Sequence, residues 1–226
     1  MNTNKYIASL LLIILIFTSS FGQEKSKIAV DFGADLASRY VWRGLEFSDS
    51  PAIQPYLEFN YKNLSLGAWA SYETGGQVVG QEFDIYASYS LGAISISFTD
   101  YSFPVDGATD NYFQMKTHIG EIMIGYDNTD KFPLTVSVGA NIYNDDQHSI
   151  YTEIGYPFNI KNIDLNLFVG AGNEQYTTDQ DFDITNFGIS ASKEVTITEK
   201  FSVNTTASII FNPDTSDAYF VFMLSL

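Results

Sequence analysis

Ser38-Arg39-Tyr40-Val41-Trp42-Arg43-Gly44 holds both arginines of the 226-residue chain, four residues apart, with Tyr40 and Trp42 between them. Side chains alternate faces along a β-strand. An extended segment here therefore puts Arg39 and Arg43 on one face and Tyr40 and Trp42 on the other. Cations facing one way and large aromatics the other suit a strand with water on one side and lipid on the other. Working back towards the N-terminus, the strand is predicted to run from Ile28 to Trp42. Val30, Phe32, Ala34 and Leu36 share the aromatic face, and Asp31, Gly33 and Asp35 share the arginine face.

The alternation continues downstream in segments of about ten residues, the length that a tilted barrel strand needs. Such segments occupy 52–61, 64–73, 83–89, 94–99, 112–126, 134–142, 150–158, 163–170, 186–192, 201–211 and 218–226. Segment 112–126 changes phase, for which a bulge near Gly120-Glu121 is expected. The pattern predicts an all-β fold, an antiparallel up-and-down transmembrane barrel of about 12 strands, an even number as single-chain outer-membrane barrels have. A two-sheet sandwich also alternates, but it has no need for aromatic strand ends. Here Trp42, Tyr72, Phe103, Tyr143, Tyr176 and Phe211 fall near one set of ends. Tyr61, Tyr89, Tyr126, Phe158 and Phe201 fall near the other, which reads as two membrane girdles.

Composition narrows the functional classes. With 27 acidic against 11 basic residues the formal charge is −16, which argues against a nucleic-acid partner. The chain has no cysteine, so disulfides, thiolate metal sites and cysteine nucleophiles are excluded. Lys5, the apolar run from Ile7 to Phe17 and the small residues before Gln23 read as a secretory signal peptide over residues 1–22. Residues 23–226 form the predicted barrel domain. No later apolar run is long enough to span a bilayer as a helix, so any crossing must be made by a closed barrel. Alternate connections are long, acidic and free of lysine, and the others are shorter and carry Lys62, Lys131, Lys161, Lys193 and Lys200. This segregation predicts long loops outside and short turns in the periplasm of a Gram-negative cell.

Three stretches, 38–44, Ser50-Pro51-Ala52-Ile53-Gln54-Pro55 and Leu66-Gly67-Ala68-Trp69-Ala70-Ser71, resemble the TorF-like porin family. Ile154-Gly155-Tyr156-Pro157-Phe158 and Tyr219-Phe220-Val221-Phe222 are similar to its later strands. The resemblance implies an outer-membrane barrel with a pore and implies no particular solute. The final Leu226 departs from the phenylalanine common at barrel C-termini.

The predicted inner stripe is the candidate site: Arg39 and Arg43 among Asp31, Asp35, Glu58, Asp84 and Glu153 as a charged constriction. The arginines would either grip an anionic solute bidentately or brace lumen carboxylates across neighbouring strands. Catalysis is not expected. His148 and Ser149 are neighbours and point to opposite faces of a strand, and His118 has no serine on its own parity. Asp179, Asp181 and Asp183, with Asp145-Asp146, are oxygen-rich but lack the full calcium-loop pattern, so no metal or cofactor is expected. The expected partners are outer-membrane lipid and small polar solutes or ions. The expected function is passive passage of such solutes through an outer-membrane porin. The alternative is a plugged barrel that serves structurally or binds ligands through its acidic loops.

Overall fold

The computed structural model describes residues 28–75, 80–104, 112–113, 115–127, 132–199 and 201–226. The predicted signal peptide at 1–22 lies outside the described residues, as do Asp106, Asp110, Lys131 and Lys200. Among the described residues fourteen strands follow one another: β1 Ala29–Ala37, β2 Tyr40–Trp42, β3 Leu45–Ser48, β4 Ala52–Tyr61, β5 Leu64–Glu73, β6 Glu82–Leu91, β7 Ile94–Ser102, β8 His118–Asp127, β9 Thr135–Tyr143, β10 Ile150–Ile160, β11 Ile163–Gly172, β12 Asp183–Thr198, β13 Phe201–Asn212 and β14 Asp217–Ser225. Twelve of them form a closed antiparallel ring in sequence order, in which β1 pairs with β4 on one side and with β14 on the other. The remaining two, β2 and β3, form a separate hairpin.

The strands form where apolar and polar residues alternate, because a pleated strand then meets two different environments. The outward residues are large and uncovered: Phe32 is 75% exposed, Ile124 55% and Phe220 59%. The inward residues include Gln54, Ser71, Asp84, Glu121 and Asn186, all buried. The polarity is the reverse of a water-soluble barrel, with a polar interior and an apolar outer wall. Among the described residues no helix is long and apolar enough to cross a membrane.

Two-residue turns at 62–63, 92–93 and 161–162 close one end, at which both Ile28 and Leu226 also lie. The longer connections, including 38–51, 103–117 and 173–182, gather at the other. Lys116 departs from the expected charge segregation, because it falls in a short 3-10 turn, Met115–Thr117, at the long-loop end. Lys193 falls within β12 and not in a connection.

The expected strand from Ile28 to Trp42 is two elements. β1 ends at Ala37, and Ser38 ties this point to the last strand: its N–H donates to the Phe222 carbonyl at 2.8 Å, and its Oγ accepts from the Phe222 N–H at 2.9 Å. The chain then leaves the wall and reverses at Arg43-Gly44. Both residues have positive φ, 53° and 82°, as a two-residue hairpin turn matched to strand twist requires. Segment 112–126 is likewise shorter than expected, since β8 begins at His118. Its register shift does lie at Gly120/Glu121, but the extra residue is Ile142 of β9: Gly120 pairs with Tyr143 and Glu121 with Asn141. Ile119 breaks the apolar phase because it faces inward.

Candidate functional site: a hairpin seated in the barrel lumen

The β2–β3 hairpin enters the ring from the long-loop end and reaches inward side chains on almost every side. The Tyr40 hydroxyl donates to Glu82 of β6 at 2.7 Å, and the Tyr40 ring packs 5.6 Å from that of Trp69 in β5. Asn212 of β13 donates its Nδ2–H to the Gly44 carbonyl at 3.0 Å. An added Cβ at Gly44 would collide with the Thr185 carbonyl of β12, so the hairpin tip sits directly on the wall backbone. In the ring order, the strand opposite β1 is β9, and the tip contacts β8 and β10 on either side of it. The hairpin spans the lumen.

Arg43 is the node that holds it. Its Nη1 and Nη2 donate to the two oxygens of Glu121 at 2.7 and 2.9 Å, a bidentate pair, and Nη1 also donates to the Tyr176 hydroxyl at 2.6 Å. The guanidinium lies 4.1 Å from the Trp42 ring centroid and 4.4 Å from that of Tyr151. Only 5% of the Arg43 side chain and 1% of the Glu121 side chain are exposed. Burial pulls the guanidinium pKa down, but the bonds to Glu121 and the surrounding charge outweigh it and raise it, so Arg43 stays a cation. A buried ion pair persists only when geometry and further hydrogen bonds repay its desolvation. Tyr101, whose hydroxyl donates to Glu121 Oε2 at 2.8 Å, completes the set.

The expected constriction is therefore divided. Asp31, Asp35, Glu58 and Glu153 do line the lumen; Asp31, Asp35 and Glu58 sit on β1 and β4 apart from the Arg43–Glu121 pair, whereas Glu153 reaches the Arg43 site through Tyr151 and Asn186. Asp31 lies directly across from Glu58 in the β1–β4 ladder, and Asp35 across from Gln54. Glu58 accepts from Asn60 Nδ2 at 2.8 Å and from the Tyr86 hydroxyl at 2.8 Å. Glu153 accepts from the Tyr151 hydroxyl at 2.6 Å. Asp84 is buried at the level of the hairpin, with Tyr101 as its cross-strand partner. Arg39 never enters the lumen stripe: it pairs with Glu46 at 2.7 Å at the rim, with 33% of its side chain exposed. The face assignment fails because the alternation stops at Ser38, and Arg43 projects from a turn and not from a strand face. For the same reason Tyr40 and Trp42 lie inside and form no part of an outer girdle, and Tyr176 lies inside because the connection after β11 turns into the lumen; Tyr72, Tyr143 and Phe211 do face outward.

Sequence reasoning did not find Glu121, Glu82, Tyr151, Tyr176 or Asn212. The usable signal was Gly44: a glycine after Arg43, flanked by Tyr-Val-Trp and Leu-Glu-Phe, marks a two-residue hairpin turn.

The histidines serve other contacts. His118 donates its Nδ1–H to Asp100 at 2.8 Å on the outward face, where the Asp100 carboxylate also accepts from the Tyr112 hydroxyl at 2.7 Å. Strand pairing places Ser102 across from His118, contrary to the expectation of no serine beside it. The imidazole is nevertheless fully buried and its Nε2 makes no hydrogen bond, so no nucleophile is engaged. His148 donates its Nδ1–H to the Asn141 carbonyl at 3.1 Å. No group of three or more His, Asp or Glu among the described residues is arranged to hold a metal ion.

Fold and site together define a class: a closed twelve-stranded antiparallel barrel with a polar interior and an apolar wall, stoppered at one mouth by its own first hairpin. The chain belongs to a bacterial protein family of unknown function, Gcw_chp, whose family model matches residues 22–215. That match brings no porin assignment with it. A comparison with curated proteins finds no match.

Proposed function

We propose that the protein is an exported outer-membrane channel for ions or small polar solutes, held shut by the docked hairpin. One observation supports it above the others: among the described residues, β2 and β3 pair with each other as a sheet of their own and share no backbone ladder with a barrel strand. Apart from the Ser38 root and the Gly44 carbonyl, side chains hold the hairpin to the wall, so it can leave without opening the barrel ladder. A plug of this kind is a separable element, whereas a filled core is not. Asp31, Asp35 and Glu58 line the lumen on β1 and β4 apart from the Arg43–Glu121 pair, and this excess of carboxylates favours cations over anions.

The second reading, a permanently plugged barrel acting through its loops, is favoured by the burial of the Arg43–Glu121 pair. Planar-bilayer conductance of the refolded chain under a salt gradient separates the two. Wild type is expected to be mostly closed, and Arg43→Ala to show discrete steps with a cation-selective reversal potential. If Arg43→Ala stays silent while its hairpin is demonstrably released, the channel reading is wrong.

A further inference from the structure

We infer that the cavity between the hairpin and the barrel wall, at the long-loop end, is a binding site for a small uncharged molecule with a single aromatic ring. The cavity has a volume of about 210 Å³, and its walls are Trp42 and Phe47 from the hairpin, Tyr101 and Ile119 from β7 and β8, and Phe103 and Tyr176 from the loops. A cavity of roughly 150 Å³ with apolar walls accepts benzene. The extra room here suits one ring with a small substituent, for which Gln175 offers the one amide in the lining.

The site is built rather than left over. Trp42 lies 5.4 Å from the Tyr101 ring and 6.1 Å from that of Tyr176, and Phe47 stacks on Phe103 at 6.1 Å. The Arg43–Glu121 pair fixes three of these rings from beneath. Arg43 lies over Trp42 at 4.1 Å and donates to the Tyr176 hydroxyl at 2.6 Å, while Glu121 accepts from the Tyr101 hydroxyl at 2.8 Å. Rings whose polar ends are tied in this way present a preformed apolar surface, and binding to it orders little. Offset and edge-to-face contacts with a guest ring add to simple burial.

Charge selects the guest. The cation under the cavity is already neutralised by Glu121, so it offers an anionic ligand nothing. Glu46, between two hairpin residues of the lining, is paired with Arg39 and projects from the other face of β3, and none of the lining residues is charged, so an anion meets no counter-charge there. The cavity lies inside the ring and opens at the loop end, which points to a water-borne molecule and not to a lipid chain.

The test titrates p-cresol into the full chain refolded in dimyristoylphosphatidylcholine vesicles. It follows tryptophan emission in a Trp69→Phe background, where Trp42 is the remaining tryptophan of the two. A saturable shift is expected. Ile119→Phe, which fills the cavity, and Phe103→Ala, which removes a wall outside the strands, should each weaken it at least tenfold. Heat-modifiable gel mobility identifies correctly folded samples. Benzoate at the same concentrations should give no saturation. A linear response that both variants leave unchanged would mean partition into lipid and overturn the proposal; equal saturation by benzoate would overturn the uncharged-ligand assignment. The assay reads binding without conductance, so a silent bilayer leaves this inference standing.

Discussion

Removing the Arg43 guanidinium should unseat the hairpin. The group makes two bonds to Glu121 and one to Tyr176, and stacks on Trp42 and Tyr151. Arg43→Ala leaves the Glu121 carboxylate, 1% exposed, without its cation. Truncating one partner of a buried pair costs about 3–5 kcal/mol, because the surviving charge stays desolvated. At about 1.4 kcal/mol per factor of ten, docking should weaken on the order of a hundred- to a few-thousand-fold. Other anchors, among them Tyr40 to Glu82, Ser48 to Glu73 and Asn212 to Gly44, carry no such ion pair and do not offset a loss of that size; Ser48→Cys weakens the second in both chains compared. Ser48, buried at 8% exposure in the docked hairpin, provides the reporter in a chain with no cysteine of its own. In Ser48→Cys, labelling by a membrane-impermeant maleimide should accelerate by at least a hundredfold when Arg43→Ala is added. Adding Glu121→Leu to Arg43→Met should restore most of the protection, since a buried pair exchanged for apolar side chains of similar size is often neutral. Equal labelling rates with and without Arg43→Ala would refute the reasoning, because the pair would then hold nothing in place.

Four further outcomes follow from the same geometry. Gly44→Ala should release the hairpin nearly as well as Arg43→Ala in the same labelling assay, since its added Cβ meets the Thr185 carbonyl and the residue already sits at φ 82°. Asp31→Asn should stabilise the barrel by about 0.2–1 kcal/mol in urea unfolding from vesicles, because Asp31 faces Glu58 directly across the ladder; in the Arg43→Ala background it should also lower cation preference. On the outer wall, Leu57→Arg should cost about 2–4 kcal/mol if this face lies at the bilayer midplane, and almost nothing if it faces water. Partial burial pushes the Asp145 carboxyl up, but hydrogen bonds from Ser149, Asn141 and Gln147 outweigh it and hold it below the usual carboxylate range. A depressed folded pKa adds stability above the unfolded value that is lost as pH falls through the folded one. Protection of the Gln147 and Ser149 amides, taken relative to the intrinsic exchange rate at each pH, should therefore fall on acidification through that lower range, and Asp145→Asn should lower it at neutral pH.

The barrel itself was legible, because a period of two with apolar residues on one face needs only local sequence. The turns at 62–63 and 161–162, the strand count and the inward placement of Asp31, Asp35, Glu58 and Glu153 all come from that rule. The site was legible only as a stretch. Residues 38–44 stand out, but alternation carried past Ser38 gives Arg43 the wrong neighbours, since a residue at a turn tip has no strand face. Nor does any local pattern connect Arg43 to Glu121, 78 positions away, or to Tyr176, 133 away. Those partners are set by which strands lie opposite one another once the ring is closed, and closure is a global property. The phase change before Ile122 was visible, yet its cause was a loop ending at Thr117 and an inward Ile119.

The hairpin is made early in the chain, but its socket is made late. Gly44 takes its bond from Asn212, 168 residues downstream, and the root at Ser38 is bonded to Phe222. Contacts so distant in sequence form only after the intervening chain has been ordered. The partners on β6 and β8 come earlier, but the bonds at the tip and the root wait until β13 and β14 arrive. Closing the seam and seating the stopper then become one event at the end of folding, so a barrel that has not finished folding is also one that has not yet been sealed.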